Sequence, residues 1–185
     1  MRSHRLRLAA SLVVFGLSLA GCEGRGPAGE NRSSSRPDQE IQGFTLTQTQ
    51  DGRKVWALRA RQALVFEESD RVEASGVTVD FYGEEATLQS TLTASNGVIM
   101  RRTNAIEVQG NVVVSATDGT VLTTDRLVWD ERTGKIRSDH AVRVTKGNDV
   151  MTGSAMEADP DLKNLKVKDF KAYVRTPEGQ LVEEK

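Results

Sequence analysis

The chain has 185 residues, enough for one ordinary domain and few for two. It is rich in Val, Thr, Gly and charged side chains and only 5% aromatic, which excludes collagen, coiled coil and a multi-span membrane protein. Three of the 25 basic residues, Arg2, Arg5 and Arg7, sit at the extreme N-terminus; set against 26 acidic residues, the remainder is mildly acidic. That balance lacks the concentrated basic footprint that nucleic acid requires.

Met1 to Arg7 is basic and Leu8 to Leu19 is apolar, the layout of a secretory signal. The run is short of the ~20 residues that a transmembrane helix needs. Leu19-Ala20-Gly21-Cys22 closes it and resembles the bacterial lipobox, in which the signal is cut before the cysteine and lipid is attached to that residue. A plain cleaved signal and an uncleaved anchor are the alternatives. Cys22 is the single cysteine, so no intramolecular disulfide forms and the core depends on packing and sheet hydrogen bonds. More than one acyl chain on Cys22 gives stable anchoring, since each buried methylene contributes about 0.8 kcal/mol.

Residues 23 to 40 hold three glycines, Pro27, Pro37 and the run Ser33-Ser34-Ser35, with no aliphatic side chain beyond Ala28. Such a segment buries no face and reads as a flexible tether. The expected organisation is therefore a lipoprotein signal over 1–21, a lipidated Cys22 with its tether over 22–40, and one domain over 41–185.

From Ile41 the pattern changes to short alternating runs. Phe44 and Leu46 face Val55-Trp56-Ala57-Leu58 across Asp51-Gly52, a strong hairpin signal. Val77, Val79 and Phe81 alternate, as do Ala86, Leu88 and Leu92, Val112 and Val114, Leu127 and Trp129, and Val142 and Val144. Asn96-Gly97, Asp118-Gly119 and Thr133-Gly134 punctuate them. Period-two patterning with regular turn signals predicts an all-β domain. Ala60 to Glu68 is the one helix candidate, and its Val65-Phe66 suits a strand equally well.

The alternation repeats. Ala60, Ala94, Asp125 and Asp159 recur at spacings of 34, 31 and 34, each followed by a second strand, a polar or glycine corner and a Val-rich strand. The corners are Ser75-Gly76, Gly110-Asn111 and Asp139-His140, with a degenerate fourth unit. A β unit of this size buries its apolar face only by stacking on its neighbours. Glycine suits the bend from one sheet to another. The expectation is two facing sheets around an elongated apolar interior, with an end open to pairing at each terminus of the stack.

These pieces resemble the LptC and OstA-like family over roughly residues 41 to 175. The likeness rests on Ile41-Gln42-Gly43-Phe44, Trp56-Ala57-Leu58-Arg59-Ala60, Val108-Gln109-Gly110-Asn111-Val112, Leu122 to Asp130, Ser138 to Val142 and Gly153 to Asp159. The resemblance implies an elongated OstA-like β-jellyroll that takes the acyl chains of lipopolysaccharide between its sheets. It implies docking to an inner-membrane ABC transporter at one end and to an LptA-like periplasmic bridge protein at the other. Family members usually carry a transmembrane helix where this chain carries a lipobox, so the expected location is periplasmic, lipid-anchored at Cys22, at the inner membrane.

The candidate lipid-binding residues are those expected to face inward: Phe44, Leu46, Trp56, Leu58, Val77, Val79, Phe81, Leu88, Val98, Met100, Ile106, Val108, Val112, Leu127, Trp129 and Val142. Acyl chains need a dry apolar trough, and an ordinary core needs the same side chains. An enzyme is not expected. Outside the leader the one histidine is His140, at a corner where the other units place glycine or Asn; no catalytic residue, metal site or cofactor is read. Asp125, Asp130 and Asp159 read as turn residues or solvated charges. Lys163, Lys166, Lys168 and Lys171 read either as a contact for phosphates or an acidic partner, or as lysines protecting an edge strand. The rival to a lipid carrier is an assembly or scaffold lipoprotein that pairs by its sheet edge and carries no lipid; a third reading is an LptA-like bridge that has gained an anchor.

Overall fold

In a computed structural model, residues 36–175 and 181–184 are described; the leader, Cys22 and most of the expected tether lie outside the described residues. From Gln39 onward the chain is almost wholly strand. Six long strands come first: β1 (Gln39–Gln50), β2 (Arg53–Phe66), β3 (Arg71–Tyr82), β4 (Leu88–Met100), β5 (Ala105–Ala116) and β6 (Thr120–Asp130). Each pairs antiparallel with the next. Seven short strands follow: β7 (Lys135–Ser138), β8 (Val142–Lys146), β9 (Asp149–Gly153), β10 (Ala155–Ala158), β11 (Lys166–Lys168), β12 (Lys171–Arg175) and β13 (Leu181–Glu184). The first strand starts two residues ahead of the expected domain boundary at Ile41.

Turn chemistry sets the hairpins. Asp51 and Gly52 both have positive φ, 51° and 75°, which is what the tight turn joining β1 to β2 demands. Gly119 and Gly134 supply positive φ in the turns after β5 and β6. Asn96-Gly97 departs from expectation: it is no turn, and β4 runs straight through it. Gly97 is there for space. A Cβ on it would come within 3.2 Å of Val77 Cγ2 and 3.3 Å of the Glu107 carbonyl, so the backbone approaches the opposite wall closely.

The long strands do not stay in one sheet. Pairing skips Arg61 on β2, Ala94 and Ser95 on β4, and Gly110 and Asn111 on β5. Gly43, Gly76, Gly110 and Asn111 take positive φ along the same line. At Asp125 the sixth strand changes partners: its first half pairs with β8 and its second with β7. Beyond it the bend breaks each strand in two, around Asp139–Ala141, Ser154 and Asp169-Phe170. One continuous antiparallel sheet is thus folded along a line of corners into two facing layers, as the patterning predicted, in the β-jellyroll arrangement that the family resemblance implied. Sheet one holds β7, β10 and β11 and the half of each long strand next to the turn between β2 and β3. Sheet two holds the other halves with β8, β9, β12 and β13.

All three expected corners lie on this line. Of the two readings open for Ala60–Glu68, the strand holds: Ala60–Phe66 belongs to β2, whose backbone is paired on both sides by β1 and β3, and Glu67 and Glu68 lie in the turn that follows. In the fourth repeat Asp159 directly follows the end of a strand. Strand β10 stops at Ala158 because Pro160 offers no N–H to a ladder, and Asp159 opens a loop that runs to Leu165.

Gly97→Val forces two methyl groups into that close approach. It is expected to lower unfolding free energy by about 1–3 kcal/mol, read as a shift of the urea midpoint at unchanged slope. An unchanged midpoint means that the sheets are not in contact at this point.

Candidate functional site

The interior between the sheets is built from side chains lying opposite one another on successive strands. In sheet two the central row is Leu46, Leu58, Val79, Leu92, Val114, Leu122, Val144, Met151 and Ala172, in register from β1 to β12. Strands spaced about 4.8 Å apart make this a lane roughly 38 Å long. The corner side of sheet one carries Ile41, Ala63, Ala74, Gly97, Val108 and Leu127, and its rim carries Val65, Val72, Ile99, Ile106, Trp129, Ile136 and Ala158. None of these positions is charged.

Eleven of the sixteen candidates are buried in this interior: Trp56, Leu58, Val77, Val79, Phe81, Ile106, Val108, Val112, Leu127, Trp129 and Val142. Phe44 and Leu46 pack against it half-buried on β1. Three candidates do not face inward. Val98 lies between Glu73 and Glu107 on the outer surface, and Met100 follows it there at 43% exposure. Gly97 and Ile99 take the inward places, and in a strand a one-residue slip exchanges the faces. Leu88 is 45% exposed because the register shifts beside Tyr82, which leaves Ser90 opposite Phe81. Leu92, Ile99, Val114, Leu122, Ile136 and Met156 are buried inward residues that the candidate set lacked. The signal for Val114 and Leu122 was the alternation itself, continued one step.

Burial falls off at the two ends of the stack. Ile41, Phe44 and Leu46 are partly exposed on β1, on whose outer side no strand pairs among the described residues. Met151, Leu165 and Val167 are partly exposed toward the other end. The row is apolar from Leu46 to Ala172, and apolar side chains toward both of its ends are partly exposed.

The two long sides differ. On the corner side the polar groups are satisfied: Thr124 Oγ1 donates to the Ala141 carbonyl at 3.0 Å and meets Ser138 Oγ at 3.0 Å, while His140 N–H donates to Ser138 Oγ. On the opposite side Phe81 of sheet two meets Trp129 of sheet one, with ring centroids 5.1 Å apart. The indole N–H groups of Trp56 and Trp129 are buried there without an acceptor among the described residues.

Charge is kept to the outer faces. Arg59 pairs with Asp80 at 2.8 Å, Arg126 with Glu107 at 2.8 Å and Arg137 with Glu157 at 2.8 Å. The hydrogen bond from Arg126 holds the Glu107 carboxyl below its ordinary range. A cleft of ≈ 630 Å³ opens on the outer face around Arg126, Val128, Arg137, Glu157, Lys166 and Lys168, but both arginines are already paired. Lys166 and Lys168 are exposed on the edge strand β11 and Lys163 pairs with Asp161, an arrangement that fits edge protection. Asp130 accepts from the backbone N–H groups of Arg132 and Thr133 as a turn residue, while Asp125 is an exposed corner residue. His140 is a corner residue, its Nε2 3.7 Å from Asp139. Among the described residues no cluster of His, Cys, Asp or Glu has the makings of a metal site.

A long uncharged row of inward apolar side chains suits hydrocarbon chains. No curated protein matches the chain in sequence. The crystal structure of LptH from Pseudomonas aeruginosa, described as the LptA homologous periplasmic component of the lipopolysaccharide transport device, is similar at a TM-score of 0.49 and 10% identity, covering 70% of this chain and 94% of that chain. The family model described as lipopolysaccharide-assembly, LptC-related, matches residues 7–174, and the chain belongs to that family.

Proposed function

We propose that the chain is the lipopolysaccharide-binding periplasmic component of the export machinery. In this reading it takes lipid from an inner-membrane ABC transporter and passes it to an LptA-like bridge protein. The acyl chains lie along the lane between the sheets, and the phosphorylated sugars stay in water. The observation that carries this is the unbroken apolar row from Leu46 to Ala172, with half-buried apolar residues at both ends. Membership of a lipopolysaccharide-assembly family supplies the lipid's identity. Cys22 is the lipid anchor, the residues from Cys22 up to the start of β1 are the tether, and the transfer domain begins at about Gln39.

One observation favours a scaffold that carries no lipid. The interior is filled: Leu58, Val112, Val114, Leu122 and Ile136 are all 0% exposed. A carrier must let its sheets part, and a scaffold need not.

In-cell photocrosslinking separates the two. A photoreactive residue at Leu58, Val79, Val108 or Leu127 is expected to give lipopolysaccharide adducts, and the same residue at exposed Arg101 none. No adducts from any inward position of a folded, anchored protein leaves the scaffold reading.

A charge at the mouth is the second test. Leu46 is half-buried, so a carboxylate there reaches water and costs little stability, yet it stands in the lane. Leu46→Glu is expected to cut lipid transfer by about tenfold with an unchanged thermal unfolding profile; full transfer refutes a path through this mouth. For the anchor, Cys22→Ala is expected to move the protein from the membrane to the soluble periplasmic fraction, and continued membrane retention refutes lipidation at Cys22.

A further inference from the structure

The side of the interior opposite the corners is spanned by one short loop, residues 159–165. It leaves sheet one at Ala158, whose row runs through Ile136 to Trp129. Two residues later the Pro160 carbonyl accepts a hydrogen bond at 2.5 Å from Ser90 Oγ, which belongs to sheet two. Ser90 is fully buried and lies directly opposite Phe81 on the neighbouring strand, and Phe81 is the ring that meets Trp129. The loop thus crosses from rim to rim where the sheets would otherwise separate.

Its side chains are placed accordingly. Leu162 is 6% exposed and belongs to the core cluster, although the loop has no strand partner, and Leu165 packs against the same cluster. Leu162 sits at φ 60°, a backbone conformation that a bulky residue rarely adopts, so the loop is held rather than relaxed. The hold is Asp159. Its carboxylate takes a hydrogen bond from Lys135 Nζ on one side and from Asn164 Nδ2 on the other, and the Leu162 N–H donates to its carbonyl at 2.9 Å.

The geometry points to residues 159–165 as a latched strap over a lateral entry site for an acyl chain. The inference rests on the carrier reading above and deepens it. Three features place the entry here rather than elsewhere along the lane. The corner side is closed by continuous backbone, so the sheets can part only on the side the strap crosses. Leu162 fills the rim with an aliphatic side chain, which a saturated chain replaces like for like. The buried indole N–H groups of Trp56 and Trp129 belong to the same rim, beside Phe81, and have no acceptor among the described residues. A chain that carries a hydroxyl or ester oxygen brings one. When such a chain enters, Leu162 swings out and the Ser90–Pro160 bond opens.

The experiment uses the full-length anchored protein in cells. A photoreactive residue is placed at Leu162 and, in separate strains, at the end positions Phe44 and Met151. A latch variant, Ser90→Ala with Asp159→Asn, is read in the same backgrounds. Lipopolysaccharide adducts at Leu162, with a severalfold higher yield in the latch variant, are expected. Amide exchange over residues 159–165 of the purified wild-type protein is expected to speed up when lipopolysaccharide is added. Adducts at Phe44 and Met151 with none at Leu162, and exchange in the strap unchanged by lipid, overturn the strap and leave the carrier reading intact, with lipid threading from end to end. Adducts at no position overturn both. Should the latch variant fold poorly, the wild-type crosslink at Leu162 and the exchange measurement still decide.

Discussion

Every long strand in this protein has to leave one sheet and enter the other, and it does so at a single position. That bend is the constraint from which the rest follows. A strand that turns through a corner loses ladder hydrogen bonds and needs backbone angles that most residues resist. The chain meets the demand with Gly43, Gly76, Gly110 and Asn111 at positive φ, and with exposed polar residues between them at Ser95 and Asp125. Arg61 shows how closely the line is stacked: a Cβ on Gly76 would lie within 3.0 Å of its side-chain carbons. Glycine on one strand makes room for a long side chain on the next. With the corners aligned, the two layers are joined along one side by continuous backbone and along the other, among the described residues, by side chains and the loop over residues 159–165. The interior is hinged on one side.

A hinged interior reconciles a filled core with a carrier. Each inward Leu, Val or Phe contributes about 1.5–3 kcal/mol by leaving water, and that holds the layers shut when nothing lies between them. An acyl chain does not oppose this term. It exchanges contacts between apolar side chains for contacts between side chains and methylenes, and the apolar surface stays dry throughout. The energetic cost of parting the layers is then confined to the few polar groups that bridge them, chiefly Ser90 with Pro160 and the Thr124–Ser138 pair at the corner. The small residues Ala63, Ala74 and Gly97 belong to the same logic. They let the layers close tightly over the corner-side row and make little contact that must be broken later.

The parts of this architecture that depend on side-chain period were legible in the sequence. Alternation named the strands, Asp51-Gly52 named the first hairpin, and the recurrence of Gly76, Gly110-Asn111 and Asp139-His140 named the corners. The failures come from places where one residue type has two physical uses. Gly97 has the look of a turn but supplies space inside a strand. Val98 and Met100 have the apolar character of inward residues, yet Gly97 and Ile99 hold the inward phase, and a glycine has no hydropathy to announce a face. Leu88 misled for another reason: a register shift at a strand end is set by the partner strand and leaves no mark in the strand's own pattern. The strap was invisible because its anchors, Ser90 and Pro160, lie 70 residues apart. Asp159 kept the repeat's spacing while changing its role.

The two ends of the stack are not equivalent, and the sequence of the edges shows why. Strand β11 is three residues long and carries Lys166 and Lys168, exposed, on either side of Val167. Short, charged edges resist pairing with another chain. Strand β1 is twelve residues long, and Glu40 is its one charged side chain; the rest is Gln, Thr, Gly and apolar residues. That composition leaves a long, uncharged row of backbone donors and acceptors on the outer side, and nothing among the described residues covers it. The apolar side chains of the same strand, Ile41, Phe44 and Leu46, are the ones left half-buried at this mouth. A sheet added to β1 would satisfy the edge and extend the apolar lane in one step. Under the carrier reading, a continuous path for lipid would need no separate docking surface at this end, because the strand with the unpaired edge also carries the apolar side chains at the mouth.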